Sequence, residues 1–102
     1  MPTADNEHPI LLAPSRLVSD TRLEFRREAL EHLEHTLRQA LTRVVVDLCN
    51  TSEVDASGLG VLVLLQKRAR ERMIATKLLH APAALKQMLE LTRLAYLFEI
   101  ED

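Results

Sequence analysis

The chain has 102 residues, room for one small domain, and its 47% hydrophobic and 27% charged residues are ordinary for a globular protein, while 3% aromatics make the core aliphatic. Thirteen Lys and Arg against fifteen Asp and Glu leave a net charge near −2, without the basic excess that phosphate contacts require, so nucleic acid is not an expected partner. One cysteine, Cys49, excludes an internal disulfide and a Cys-His zinc spacing and points to a reduced, cytoplasmic setting, and the longest apolar run, Leu59 to Leu65, is too short for membrane insertion.

Residues 1–9 are polar and acidic and read as a flexible leader rather than a secretory signal. Ile10 to Ala13 reads as a short strand stopped by Pro14, and 14–20 as a turn. Residues 21–41 form the clearest helix. Thr21 and Glu24 have capping-box spacing, and Leu23, Leu30, Leu33, Leu37 and Leu41 form one apolar stripe. Arg43 to Leu48 (RVVVDL) is β-branched without alternation, as in a strand buried on both faces. A polar loop, Cys49 to Asp55, leads to a helix over 57–72, whose basic run Lys67 to Arg72 reads as a solvated face. Thr76 to His80 reads as a strand, Pro82 to Leu91 as a third helix and Leu97 to Ile100 as a last strand. Strands alternating with helices predict an α/β layer fold, a small sheet core with helices packed against it through right-handed crossovers.

The informative stretch is Val44 to Gly60 (VVVDLCNTSEVDASGLG). Asp55 stands where an N-cap carboxylate accepts backbone N–H bonds at the positive end of a helix. The chain's two glycines, Gly58 and Gly60, both fall in the first turn. Glycine costs up to about 1 kcal/mol in a helix, so their placement implies that something packs closely there. Leu59, Val61, Leu62, Val63, Leu64 and Leu65 go all round the helix, which implies that part of this surface, around Gly60, Val61 and Leu64, is exposed and binds a partner.

The run VVVDLCNTSEVDASGLGVLVLLQKRAR, followed by LLHAPAALKQMLELTRLAYLFEI, resembles the STAS domain, the family of bacterial anti-sigma factor antagonists and of cytoplasmic domains of sulfate transporters. Asp47-Leu48, Asp55 to Gly60, Arg68-Ala69, Leu89 to Leu94 and Phe98 to Ile100 match its motifs in order over about residues 43–100. The resemblance implies a STAS-type fold over 10–102. It also implies a non-enzymatic function: docking a GHKL-type serine kinase that is also the anti-sigma factor, through Asp55, Ala56, Ser57, Gly58, Leu59, Gly60, Val61 and Leu64. In the family the kinase phosphorylates the hydroxyl residue after the motif Asp, and the added charge ends docking. Here that residue is Ala56, so the usual acceptor is missing, and Ser57 is the one alternative phosphorylation site. Arg93 replaces the usual glycine after Leu-Thr, which implies a different turn. The resemblance leaves open whether the family's extra N-terminal strand and C-terminal helix are present; absence of either would expose an edge or apolar surface that a second copy could cover as a homodimer. Two alternatives remain: a STAS scaffold subunit, and a small cytoplasmic subunit of a lipid or anion transporter.

Other chemistries find little support. Asp47 ends a strand as a receiver-domain acceptor does, but Ile10 to Ser15 supplies no acidic pair. The loop before Gly58 lacks the phosphate-loop spacing. His32 and His35 read as a solvated polar face rather than metal ligands, His8 and His80 have no evident partners, and Cys49 reads as a small packed hydrophobe. No catalytic arrangement, metal site or cofactor is expected.

Overall fold

A computed structural model describes residues 8–101. The strands are β1 (Ile10–Leu12), β2 (Arg16–Leu17), β3 (Arg43–Asp47), β4 (Glu53–Val54), β5 (Ala75–Leu79) and β6 (Glu99–Glu101). The helices are α1 (Arg22–Arg38), α2 (Ala56–Glu71) and α3 (Ala83–Leu91), with 3-10 turns at Ser19–Thr21 and Ala95–Leu97. The main sheet has the order β1-β3-β5-β6 with every pair parallel. Each crossover moves the same way along the sheet. Right-handed connections therefore put α1, α2 and α3 on one face. One core results, joining Phe25 and Leu33 of α1, Leu62 and Leu65 of α2 and Leu85 and Leu89 of α3 to Val44, Val46 and Leu78 of the sheet. Val45 faces the other way and is equally buried, so the valine run is buried on both faces as its lack of alternation implied. The α/β expectation holds, with several local corrections.

Of the leucine row expected on α1 only Leu33 is fully buried, with Leu30, Leu37 and Leu41 half-buried; the buried stripe is Phe25, Ala29, Leu33 and Thr36. Those four recur at the helical period of 3.6, whereas Leu23, Leu30 and Leu37 repeat every seven and drift towards the edge of the buried face. Leu23 ends up 68% exposed. His32 is half-buried rather than solvated, and its Nε2 is buried without a hydrogen-bond partner. Burial first, then the neighbouring His35, hold its pKa below the ordinary histidine value, against an opposing bond to the Pro9 backbone. The Thr21–Glu24 capping box does not form. The 3-10 turn runs directly into α1, and Thr21 Oγ1 instead donates to Arg16 O at 2.6 Å and accepts from Val18 N at 3.2 Å.

Two elements escaped the sequence reading. β2 lies within the expected turn and β4 within the expected polar loop, and they pair in parallel, Arg16 to Glu53 and Leu17 to Val54. Two-residue strands carry no alternation to detect. Of the leader, residues 1–7 lie outside the described residues, and His8 is buried.

All three helices close without glycine. Ala40, Met73 and Arg93 take left-handed backbone, φ 54°, 62° and 59°. Behind them Leu41 N, Ile74 N and Leu94 N reach back to Thr36 O, Ala69 O and Leu89 O at 2.8 to 3.1 Å. These are Schellman closures, each followed by an apolar residue. Arg93, where a different turn was expected, thus holds a left-handed closure of the kind that glycine favours. The tight 6→1 bond and the packing of Leu94 hold a side chain in a conformation that glycine adopts without strain.

Candidate functional site

The β2–β4 ribbon carries the motif turn. Asp55 N donates to Leu17 O at 3.1 Å, which aims the Asp55 side chain along the start of α2. Its Oδ1 accepts Gly58 N at 2.9 Å, the expected N-cap, and its Oδ2 accepts Ser19 N at 3.0 Å. One carboxylate therefore joins α2 to the turn that begins α1. The Gly58 N–H is the main reason the Asp55 pKa lies below the ordinary value; partial desolvation opposes it, and Ser19 N–H, Ser57 N–H and Arg16 assist.

The two glycines have different reasons. A Cβ on Gly58 would lie 1.9 Å from Leu17 O, so the β2 backbone itself occupies that space. A Cβ on Gly60 would meet nothing within 4 Å. Nothing in the described chain requires Gly60.

Gly58, Leu59 and Val61 are buried, Asp55, Ser57 and Leu64 are half-exposed, and Ala56 and Gly60 are exposed. The exposure expected at Val61 is cut back: it is 6% exposed and packs with the core, keeping only a small surface on the groove formed with α1. What sequence reasoning missed is the contribution of α1. Arg22, Leu23 and Arg26 form a groove of about 460 Å³ with Ser57, Gly60 and Leu64. The signal was there, since Leu23 is out of phase with Phe25, Ala29 and Leu33. On the other side of Asp55 a hollow of about 410 Å³ carries the carboxylates of Asp20, Glu53 and Asp55, with Arg16 at its edge.

A second cluster lies at the carboxyl ends of β3 and β5. Asp47 Oδ1 contacts His80 Nδ1 at 2.9 Å and accepts Cys49 N at 2.9 Å. His80 thus has a partner that its sequence position hid. Burial opposes ionisation of Asp47, but the His80 and Cys49 hydrogen bonds outweigh it and its pKa is lowered. Cys49 is exposed, not packed, because β3 ends at Asp47 and only Leu48 continues inward. Local desolvation, then Asp47, hold the thiol above its ordinary value, so it is a protonated, weak nucleophile at neutral pH. Among the described residues no three His, Cys, Asp or Glu side chains are grouped to hold a metal, and no helix is long and apolar enough to cross a membrane.

The lowered carboxylates set an acid limit. A carboxyl group more acidic in the folded state stabilises the fold above its unfolded pKa of about 3.9, and that contribution is lost as pH falls through the folded value. Thermal melts are expected to lose some stability as pH falls through about 6.5, where the unfolded chain protonates His32 more readily than the fold does, and to fall further below about 4. Asp55→Asn keeps one accepting oxygen but faces Ser19 N–H with a donor or leaves Gly58 N–H without a partner. It is expected to lower Tm at pH 7 by about 4–8 °C and to make the acid limb shallower. An unchanged acid limb would remove Asp55 from this account.

Fold and site together define a small, singly wound parallel α/β domain built on an Asp-capped turn between a short strand ribbon and a largely buried helix. The chain belongs to the STAS domain family: a family model described as Mlab, STAS domain, matches residues 2–99. Among solved structures it is similar to a Thermotoga maritima protein described as an anti-sigma factor antagonist, at 18% identity and TM-score 0.75 over 97% of this chain and 89% of that one. It is also similar to the anti-sigma factor antagonist SpoIIAA in its unphosphorylated form, at 16% identity and TM-score 0.68, over 100% and 84%. The phosphorylated form of SpoIIAA, a Bacillus cell fate determinant, matches at 14% identity and TM-score 0.61, over 93% and 78%. At these identities the likeness is one of fold. No curated protein matches the chain in sequence.

Proposed function

We propose that this chain is a non-enzymatic binding module of the anti-sigma factor antagonist kind, docking a kinase or anti-sigma partner on the first turns of α2. The observation that carries this reading is Gly60. It is a glycine inside a helix, exposed, with open space where its side chain would be, beside the apolar Leu23 and Leu64. Such a position lets a partner's backbone approach closely. The partner that fits presents an apolar side chain to Leu23 and Leu64 and a cation to the carboxylate of Asp20, since Glu53 already pairs with Arg16 at 3.3 Å. Docking is not switched at the usual position, because Ala56, exposed at the first residue of α2, has no hydroxyl.

Incubation with the cognate kinase and ATP, followed by intact-mass measurement, tests the missing switch. The wild-type chain is expected to gain no phosphate, and Ala56→Ser to gain one. A phosphate on the wild type that disappears in Ser57→Ala would overturn the unswitched reading. Affinity capture from the source cell tests the partner class. Recovery of a kinase or anti-sigma factor supports it, and recovery of a permease with its ATPase supports the transporter-subunit reading instead.

One observation favours a second reading, self-assembly as a scaffold. Ile10 and Leu12, on edge strand β1, are 50% and 51% exposed, and no charged residue within the strand guards that edge. The opposite edge, β6, is guarded by Glu99 and Glu101, which pair with Arg43 and Lys77. Sedimentation as a strict monomer at high concentration would remove this reading.

A further inference from the structure

The Asp55 turn lies at the carboxyl end of the strands, and α2 runs back from it, so its last turns reach the amino end of β5. There a cavity of about 320 Å³ opens between the second half of α2, the start of β5 and the turn before β6. Its size is at the lower end of the range of small-molecule sites.

Four features of its walls call for a ligand. Gln66 is 7% exposed and lines the cavity, and its side-chain amide makes no hydrogen bond within the described residues but stays open to solvent at the cavity wall. Beside it Thr76, 2% exposed, has a hydroxyl with no partner. Buried polar groups are nearly always paired, because leaving one unpaired costs about 1–3 kcal/mol. Both oxygens of the lining carboxylate, Glu99, are held by Arg43, at 2.7 and 3.4 Å, so its charge is answered within the protein. Arg70 lines the same cavity and has no carboxylate partner among the described residues. Finally, the chain has three aromatic residues, and two of them, Tyr96 and Phe98, stand here. Tyr96 is 80% exposed, a large ring left unpacked at the mouth.

We propose that this cavity binds a small planar carboxylate. The acid group pairs with the Arg70 guanidinium, the ring lies against Tyr96, and a polar edge of the ligand meets the Gln66 amide. The C-terminal end of α2 carries partial negative charge and would repel an anion. Arg70 is therefore what makes a carboxylate acceptable at this place. The site is at the far end of α2 from the docking surface and is independent of it.

Tyr96 is the only tyrosine, which makes its ring an unambiguous reporter. The full chain, labelled with ¹⁵N, is titrated with benzoate and with indole-3-acetate, each compared with its neutral amide. The expected result with at least one acid is a saturable shift of the Gln66 side-chain NH₂ and of the Tyr96 ring signals. Arg70→Gln, a change at an exposed position, and replacement of acid by amide should each weaken binding about tenfold or more. Absence of saturable shifts at these groups with both acids at millimolar concentration overturns the proposal. So does equal affinity for acid and amide, or for wild type and Arg70→Gln.

Discussion

Gly58→Ala is expected to lower stability by about 2 kcal/mol or more, a Tm fall of roughly 8–16 °C, although alanine is the better helix former. The added methyl would lie 1.9 Å from Leu17 O and 2.5 Å from Leu17 C. These are backbone atoms, and Leu17 O is also the acceptor of Asp55 N, so the β2 strand cannot retreat without breaking the bond that aims the cap. Overpacking of this kind costs up to about 3 kcal/mol, against at most about 1 kcal/mol gained in helix propensity. Thermal denaturation followed by circular dichroism measures the difference. An unchanged or raised Tm would show that the ribbon yields and that Gly58 has another purpose.

Gly60, two residues further on, gives the opposite expectation. Gly60→Ala should raise stability by up to about 1 kcal/mol, because the new methyl meets nothing and the helix gains. Gly60→Arg should fold equally well yet reduce affinity for the docking partner about 100-fold, some 2.7 kcal/mol, by filling the surface a partner's backbone needs. Calorimetry with the captured partner, alongside a melt of each variant, separates the two effects. A stable Gly60→Arg protein that binds as tightly as wild type would move the docking surface away from the start of α2. The two glycine variants also control for each other, since they share one helix turn and one chemistry and differ in what stands opposite.

Much of this was legible in the chain. RVVVDL read as a strand buried on both faces because three β-branched residues in succession leave no polar face. DASGLG read as a capped helix start because a carboxylate three residues before Gly58 N is placed to accept its proton. The α1 stripe was placed only partly on the buried face because leucines outnumber Phe25 and Ala29, and a seven-residue repeat resembles a 3.6 period over two turns. β2 and β4 were invisible because two residues have no period, although Gly58 was the trace they left. Arg93 misled for a related reason: glycine is favoured at a left-handed closure, but the bonds behind it can impose that conformation on another residue.

By itself the sequence determined the order of the four main-sheet strands and three helices, the cap, the place of both glycines and the missing hydroxyl at Ala56, all of which depend on neighbours within a few residues. Tertiary structure alone decided that Gly58 meets the strand of Leu17 while Gly60 meets nothing, that Leu23 joins Leu64, that Asp47 finds His80, and that Gln66 and Tyr96 share a cavity. Each of those depends on two segments distant in the chain coming within a few ångströms, and local spacing carries no record of such an approach.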